Sequence, residues 1–440
     1  MSDNNVNVRR VSLEIVVKVM EDRKFLNEVL TDALNKYKYL EKNKRSYISR
    51  ITRGVVERFI ELDAYISAYS NTKPAKLNPN IRNVLRLAIY ELKYFDSIPE
   101  SATVNEYVKL SGKCAPSRLK GFVNGVLRSM IRDDFKKACL TKNESLSMPK
   151  WLYDKFQKEY GCADEICKAF LMPNLITIRT NTTKCTADTL RDKLEKEGVK
   201  VTQIPDIEYG FFLENVDYLE KLDSFKEGLF YVQDLSSMMV GVKSGVKAGD
   251  TVIDVCAAPG GKSLHVAELL KVSEEKEYQN MEPELIHQGH VYSYDISDDK
   301  VSLIKENIDR AGLSNITASV KDATVFDERL KEKADIVIAD LPCSGLGIIG
   351  KKPDIKSRIN ALDIESLATL QQNMLNVCKN YVKNKGRLIF STCTISKVEN
   401  QDNVRTFLDN NRNYKLIEEK QFMPCKEHDG FFISILQREE

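Results

Sequence analysis

Residues 251–262 read TVIDVCAAPGGK, and this stretch decides how the second half of the chain is interpreted. The apolar, β-branched run TVIDV predicts a buried strand, and the helix-like sequence KSLHVAELL begins at the final lysine. Small residues and one proline lie between them, so backbone amides and a helix N-terminus can approach a ligand closely. The pattern predicts a strand–loop–helix unit that binds a ligand on its loop.

Strands and helices alternate from residue 246 to 440. The predicted strands read HVYSYD, ITASVK, DIVIAD and RLIFST, and NYKLIEE and GFFISIL add a closing antiparallel hairpin. This order predicts a Rossmann-like α/β domain with a doubly wound parallel sheet, whose ligands bind outside the carboxyl ends of the strands. Residues 272–288 are polar and acidic without clear periodicity, and we expect a mobile insertion there.

Two further regions precede this domain, so the chain is expected to be multidomain. Residues 1–145 carry recurring helical spacings, as in VSLEIVVKVM and NVLRLAIYELKYF, which predict an all-α bundle. Residues 146–245 combine helical stretches with the short strands LITIRTNTT and GLFYVQD, and predict a small α+β module that links the two larger regions or binds RNA.

The charge of the chain is unevenly distributed. All 440 residues carry a net charge of only +2, but residues 1–145 hold 27 basic and 17 acidic side chains, so that the remainder is acidic. Such asymmetry is typical of proteins that contact nucleic acid. One basic group borders an apolar helical stripe and is either a solvated helix face or a phosphate-binding surface: Lys113, Arg118, Lys120, Arg128, Arg132, Lys136 and Lys137.

Composition excludes several classes of protein. No uncharged apolar run is long enough to span a bilayer, and MSDNNVNVRR lacks the apolar core of a signal peptide, so we expect a cytoplasmic protein. The ten cysteines form no C-x-x-C pair and only four histidines accompany them. A zinc site or a disulfide framework is therefore not expected.

Three classes of cofactor use a glycine-containing loop after a first strand. A dinucleotide site needs G-x-G-x-x-G, which is absent here. A phosphate loop needs glycine where Cys256 stands, and Pro259 has no N–H to donate. S-adenosylmethionine needs carboxylates at later strand ends, and Asp295, Asp322 and Asp340 occupy such places. Each alone is typical of a turn or cap; together with the loop they favour S-adenosylmethionine.

Two cysteines follow adjacent predicted strands. Cys343 lies in DLPCSG and Cys393 in STCT, so both thiols can face one pocket. A buried thiol is ordinarily inert, but beside a methyl donor two thiols have a chemical use. Carbon 5 of a pyrimidine is a poor nucleophile until a thiolate adds to carbon 6. Spacing alone does not decide which cysteine attacks.

These motifs carry a family resemblance over nearly the whole chain. DVCAAPGGK, DLPCSG and STCT resemble the RNA 5-methylcytosine methyltransferases of the NOL/NOP/Sun family. KGFVNGVLRSM resembles the NusB-like RNA-binding domain of one bacterial branch, which methylates small-subunit ribosomal RNA, and YVQDLSS, KKPDIKSR and DGFF are similar to that branch as well. Lys351 and Lys352 depart from the pattern, because arginine is often found there.

The resemblance implies a role for each matched residue. Cys393 would be the nucleophile and Cys343 would assist product release. Beyond the resemblance, we hypothesise that Asp340 contacts the target base as well as the cofactor. The residues that would hold S-adenosylmethionine are Cys256, Ala257, Ala258, Pro259, Gly260, Gly261, Lys262, Asp295, Asp322 and Asp340.

The implied activity is methylation of carbon 5 of a specific cytosine in 16S ribosomal RNA. RNA is then the expected partner, with no membrane, no metal and no obligate protein partner. Two alternatives stay open on the sequence alone. One is a transfer-RNA methyltransferase of the same family, and the other is a non-catalytic RNA-binding factor of ribosome assembly.

Overall fold

A computed structural model describes residues 6–216, 218–279, 281–282 and 286–439. It divides into two compact units, Met1–Met172 with Ile349–Ile359, and Pro173–Ile348 with Asn360–Glu440. The three-domain division with boundaries at 145 and 245 stays a prediction. Within the described ranges, none of the helices has the length and apolar character needed to cross a membrane.

The first unit is built from helices, as predicted. Its helices are α1 (Val8–Met20), α2 (Leu26–Lys36), α3 (Lys42–Tyr69), α4 (Pro79–Tyr94), α5 (Glu100–Cys114), α6 (Leu119–Arg132), α7 (Lys142–Ser145), α8 (Lys150–Tyr160) and α9 (Ala163–Phe170). The prolines mark helix starts: Pro79 opens α4, where the Asn78 side chain accepts from the Asn80 amide at 3.0 Å. Apolar residues of α4 at three- and four-residue spacing, among them Val84 and Ala88, are fully buried in the core.

The second unit contains two sheets. The smaller has the order β2-β3-β1-β4 and is antiparallel throughout. Its elements are β1 (Ile176–Thr180), α10 (Ala187–Lys196), β2 (Lys200–Gln203), β3 (Gly210–Glu214), α11 (Asp223–Lys226), β4 (Phe230–Val232) and α12 (Leu235–Ser244). The sequence predicted β1 and β4 but missed β2 and β3, because β2 is short and largely exposed while β3 is buried at four of five positions and shows no alternation.

The larger sheet confirms the predicted Rossmann-like fold. Its strands are β5 (Thr251–Asp254), β6 (His290–Asp295), β7 (Ile316–Val320), β8 (Ala334–Asp340), β9 (Val382–Thr392), β10 (Tyr414–Phe422) and β11 (Phe431–Arg438). Strands β5 to β9 are parallel in the order β9-β8-β5-β6-β7, and the predicted hairpin adds β11 and β10 antiparallel beside β9. The accompanying helices are α13 (Gly261–Glu277), α14 (Asp298–Ala311), α16 (Ala361–Cys378) and α17 (Gln401–Asn410).

The helix between α14 and α16, α15 (Ile355–Arg358), belongs to the first unit although the α/β domain surrounds it in sequence. Lys356 donates to the carbonyls of Glu57 at 2.5 Å and Ser147 at 2.8 Å, and its side chain is buried. Burial lowers the pKa of Lys356 to about 8. Residues 349–359 are thus anchored among the helices of the first unit by a buried lysine.

The expectation of an irregular insertion at residues 272–288 is wrong for the first part of this range. Helix α13 continues to Glu277, so residues 272–277 are helical. The Ser273 hydroxyl accepts from the Ala248 amide at 3.1 Å, and Glu274 Oε1 accepts from the Gly249 amide at 3.3 Å. These contacts to the loop before β5 extend the helix beyond its apolar stretch. Asn280 and residues 283–285 of the same expectation lie outside the described residues.

Candidate active site

A cavity of about 250 Å³ opens in the second unit where β5, β8 and β9 end. Such ends are where a doubly wound sheet binds its ligands. The lining residues are Val232, Gln233, Asp234, Ser236, Ser237, Asp254, Cys256, Ala257, Ala258, Pro259, Gly261, Lys262, Asp340, Ile348, Cys393, Asp429 and Phe431.

The loop after β5 is held by the end of β6. The Ala257 amide donates to the Tyr294 carbonyl at 2.8 Å, and the Ala258 amide donates to Asp295 Oδ2 at 3.0 Å. Gly260 has φ +102°, which an L side chain rarely adopts, and a Cβ there would lie 3.3 Å from Ile304. The loop can therefore turn into α13 with its backbone open to the cavity.

A carboxyl group that the sequence analysis did not single out lies beneath this loop. Asp254 is fully buried at the end of β5, and its Oδ2 accepts from the Ser263 hydroxyl at 2.6 Å. Burial raises the pKa of Asp254 to about 7, although the Ser263 hydrogen bond acts in the opposite direction. This contact ties the end of the strand to the first turn of α13.

Asp295 and Asp322 stand at strand ends as predicted but do not line the cavity. Asp295 also forms an ion pair with Lys300 at 3.1 Å. Asp322 Oδ1 accepts from the Thr324 amide at 2.8 Å and from its hydroxyl at 2.6 Å, and these bonds lower the pKa of Asp322. Both therefore also serve as turn residues.

Apolar side chains next to these carboxylates are left in solvent. Ile296 follows Asp295 directly, and Val325 and Phe326 lie a few residues after Asp322; all three are exposed. An exposed apolar surface beside hydrogen-bond acceptors suits a planar base with ribose hydroxyls. An adenosyl group therefore fits the residues at the ends of β6 and β7.

Asp340 and Lys262 form an ion pair in the cavity. Asp340 Oδ2 lies 2.6 Å from Lys262 Nζ, and its Oδ1 accepts from the Ser391 hydroxyl at 2.7 Å. Burial alone would lower the pKa of Lys262, but the charge and hydrogen bond of Asp340 outweigh it and raise the pKa. A negative charge on the Cys393 sulfur would act in the same direction on the pKa of Lys262, so the two groups are electrostatically linked.

The two predicted thiols are adjacent. Cys343 Sγ lies 3.3 Å from Cys393 Sγ, and the Gly347 amide donates to the Cys393 carbonyl at 3.0 Å. The hydrogen bond with Cys393 and burial raise the pKa of Cys343 well above its ordinary range. Cys343 therefore keeps its proton when the neighbouring sulfur is a thiolate. Cys393 and the loop residue Cys256 belong to the cavity lining, whereas Cys343 does not, and burial raises the pKa of the Cys256 thiol.

A buried carboxylate that sequence reasoning missed joins the two cysteine loops. Glu399 Oε1 accepts from the Ser344 amide at 2.7 Å, and Oε2 accepts from the Ser344 hydroxyl at 2.5 Å. The same hydroxyl lies 2.8 Å from Thr394 Oγ1. Ser344 follows Cys343 and Thr394 follows Cys393, so Glu399 fixes the loops of both thiols. The acidic residue five positions after the end of STCT was the only available signal.

The cavity is completed by segments that the sequence analysis quoted without giving them roles. Residues 232–237, which run from the end of β4 into the first turn of α12, contribute Gln233, Asp234 and two serines. Phe431, at the start of β11, places its ring 5.3 Å from Lys262 Nζ. In the described part of the chain, no group of three or more His, Cys, Asp or Glu side chains is arranged to hold a metal ion.

The parallel sheet, the loop after its first strand and the cavity at the strand ends define an S-adenosylmethionine-dependent methyltransferase domain. Residues 245–437 match the family model described as 16S rRNA methyltransferase RsmB/F. Residues 6–132 match the NusB family, and residues 148–217 match the ferredoxin-like domain of RsmF/B-like methyltransferases.

Similar proteins are found along the full length of the chain. A Bacillus subtilis relative, the probable ribosomal RNA small subunit methyltransferase B, is 32% identical over 93% of this chain and 90% of its own. The ribosomal RNA small subunit methyltransferase B of Pasteurella multocida is 27% identical over 98% of this chain and 96% of its own. The crystal structure of PH0851 shares the fold with a TM-score of 0.79, at 24% identity, over 99% of both chains. The chain belongs to the RsmB/F family of methyltransferases, which confirms the resemblance seen in its motifs.

Proposed function

We propose that the protein methylates carbon 5 of one cytosine in 16S ribosomal RNA through a covalent bond between Cys393 and carbon 6 of the base. The 3.3 Å separation of Cys343 and Cys393 beside the cavity carries this proposal. The names of the similar proteins support the small-subunit RNA as substrate. The same substrate would place the protein in the cytoplasm, where bacterial ribosomes are assembled.

The two thiols have different roles in this proposal. The hydrogen bond with Cys393 and burial raise the pKa of Cys343, so Cys343 is the poorer candidate for a thiolate. A thiolate is the attacking form of cysteine, which favours Cys393 as the nucleophile. Cys343, next to Cys393, assists product release: a base takes the carbon 5 proton, the electron pair of that C–H bond restores the double bond between carbons 5 and 6, and Cys393 leaves as a thiolate.

The ion pair of Asp340 and Lys262 faces the same cavity. Asp340 is fixed by Lys262 on one oxygen and by Ser391 on the other, and each oxygen has a further lone pair. It can therefore accept from the exocyclic amine of a cytosine, the donor on that edge of the base. This contact would hold the base against Cys393 and discriminate against uracil, which presents an acceptor there.

S-adenosylmethionine supplies the methyl group when bound. We assign the loop residues 256–262 and Asp340 to the side of its sulfonium. Asp295 and Asp322, next to the exposed Ile296, Val325 and Phe326, are assigned to the adenosyl side. Carboxylates suit this ligand because the ribose hydroxyls and the adenine amine donate hydrogen bonds.

The basic surface of the first unit is assigned to RNA phosphates. All seven basic residues predicted from the sequence are exposed. Five of them, Lys113, Arg118, Lys120, Arg128 and Arg132, have no carboxylate partner within the described residues. On α6, Gly121 and Gly125 leave open space beside Arg128, so a phosphate backbone can approach the helix closely.

Adduct trapping tests the chemistry. With substrate RNA and S-adenosylmethionine, Cys343→Ala should accumulate a protein–RNA adduct that survives a denaturing gel, and Cys393→Ala should form none. Cys185→Ala, a half-buried cysteine outside the cavity, is the matched control and should turn over normally. An adduct in Cys393→Ala instead would reverse the assignment of the two thiols.

Bisulfite sequencing tests the substrate. Cells without the protein should lose one methylated cytosine in 16S ribosomal RNA, and the wild-type gene should restore it. Loss of a transfer-RNA methylation with intact 16S RNA would favour the transfer-RNA alternative. Failure to bind S-adenosylmethionine in calorimetry would favour a non-catalytic RNA-binding role.

A further inference from the structure

Gln233 presents a buried amide to the active-site cavity. It follows β4, is only 6% exposed and belongs to the cavity lining. Its Oε1 accepts from Arg179 Nε at 2.8 Å. Arg179 is fully buried in β1 and forms an ion pair with the buried Glu268 of α13. The oxygen end of the amide is therefore held by a rigid charged group.

This contact fixes the orientation of the amide. Arginine Nε carries a hydrogen and can only donate, so the oxygen of Gln233 must face it and the NH₂ group must point away. Gln233 Nε2 is buried and meets no acceptor among the described residues. Because a buried donor without a partner destabilises the protein, such a group in a cavity indicates an acceptor that arrives with a ligand.

The surroundings indicate the charge of that acceptor. A Cβ on Gly261 would lie 3.9 Å from Gln233 Nε2, so the amide stands beside the first residue of α13. The first-turn amides of a helix have no intrahelical acceptor and carry the positive end of the helix dipole. Helix amides and a side-chain NH₂ that converge from two elements suit an anionic oxygen.

We propose that Gln233 Nε2 donates a hydrogen bond to the α-carboxylate of the methionine part of S-adenosylmethionine. The inference rests on the proposed function, in which S-adenosylmethionine binds to the loop after β5. The carboxylate is the anionic group of that cofactor, and the loop places it near the N-terminus of α13. A phosphate of the RNA is the other source of an anionic oxygen, and the experiment separates the two.

The substitution Gln233→Glu tests the NH₂ group of Gln233 as a hydrogen-bond donor. It keeps an oxygen for Arg179 and replaces the NH₂ group by a second oxygen, which repels a carboxylate. Calorimetry on the full chain should compare S-adenosylhomocysteine, which has the carboxylate, with 5′-methylthioadenosine, which lacks it. We expect affinity for the first to fall about 10- to 100-fold and affinity for the second to change less than about twofold.

Two further variants serve as controls. Gln233→Met removes the donor, and with it the oxygen that accepts from Arg179, without adding charge; it should weaken the binding of S-adenosylhomocysteine about tenfold and leave that of methylthioadenosine within about twofold. Gln372→Glu alters a glutamine of α16 that bonds the Asn403 carbonyl at 2.7 Å and does not line the cavity. It should leave both affinities unchanged, and thermal melting should confirm that each variant is folded.

Three outcomes would overturn the inference. Equal losses for both ligands would mean that Gln233 supports the loop as a whole. Unchanged affinity for S-adenosylhomocysteine with weaker RNA binding would assign the amide to a phosphate. If the wild-type protein bound neither ligand, the proposed cofactor itself would be wrong. If the wild-type protein bound both ligands and Gln233→Glu bound them equally well, only the role of Gln233 would be wrong and the proposed function would stand.

Discussion

Glu399 accepts hydrogen bonds from both the backbone amide of Ser344, at 2.7 Å, and the hydroxyl of Ser344, at 2.5 Å. Glu399 lies in the segment after β9 that carries Cys393, whereas Ser344 follows Cys343. Burial raises the pKa of Glu399, and the bonds from Ser344 act against this rise. One carboxylate thus joins the loops of the two thiols that, in the proposed mechanism, act on one base.

Removing this carboxylate should cost activity. A displacement of about 1 Å at a reacting group can cost about 100-fold in rate, and Glu399→Ala frees both cysteine loops. We expect kcat to fall about 10- to 100-fold with a small change in KM for RNA. Glu399→Gln can still accept from the Ser344 amide and should retain most of the activity. Single-turnover methylation assays measure both variants. Equal loss in Gln and Ala variants would mean that the charge, and not the spacing, is required.

The sulfur contact predicts how the two thiols react with iodoacetamide. In Cys393→Ala, Cys343 loses the hydrogen bond and the charge that raise its pKa, so its thiolate fraction at pH 8 should increase. Alkylation of Cys343 should then become at least about tenfold faster than in the wild-type protein. Mass spectrometry of the peptide that contains Cys343 measures the rate. A rate that does not rise would mean that Cys393 does not suppress the ionisation of Cys343.

The pH dependence of catalysis should depend on Lys262. Its pKa is raised by Asp340, so it stays cationic through the working range and can stabilise a Cys393 thiolate. In Lys262→Met, the acid limb of the kcat/KM profile should move to higher pH by about one unit, which lowers the rate near pH 7 about tenfold. Lys262→Arg retains the charge and is the control. If the acid limb stayed at the same pH in Lys262→Met, Lys262 would not be the group that stabilises the Cys393 thiolate.

The basic surface of the first unit predicts a salt effect. Replacing Arg128 and Arg132 by Glu removes two phosphate contacts and should lower the slope of log Kd against log salt by about 1.4 to 1.8. Lys24→Glu with Lys38→Glu makes the same charge change at exposed lysines outside this surface. Fluorescence anisotropy with substrate RNA measures both pairs. If both pairs of substitutions changed the slope equally, the basic residues of α6 would form a solvated helix face and not a specific phosphate-binding surface.

The sequence predicted what depends on local pattern. Alternating strands and helices gave the parallel sheet, and the loop at 256–262, Asp340 and Cys393 meet in one cavity as expected. Glu399 and Gln233 were missed because their contacts join residues about 55 positions apart, a relationship that no local pattern carries. The full length of α13 was missed because its last turns are polar. They are held by contacts to the loop before β5, which lies 25 positions earlier in the chain.

The sequence placed Lys356 in the motif KKPDIKSR but gave no sign of its burial, and this burial predicts a pH-dependent stability. Its pKa is about 8 in the folded protein and 10.5 ordinarily. Between these values the unfolded chain binds more protons, so the folded state gains stability as pH rises from about 8 to 10.5. Below pH 8 the buried lysine costs about 3 kcal/mol relative to an unshifted one.

Lys356→Met should therefore remove a pH-dependent contribution to the free energy of unfolding. The variant leaves the Glu57 and Ser147 carbonyls without their donor, a cost that does not vary with pH. The free energy of unfolding of the wild-type protein relative to the variant should increase by about 2 kcal/mol between pH 7.5 and 9.5. Urea unfolding at four pH values measures this difference, and Lys352→Met, an exposed lysine of the same segment, corrects for the general loss of charge. A constant difference would mean that Lys356 is charged in its buried position throughout this range.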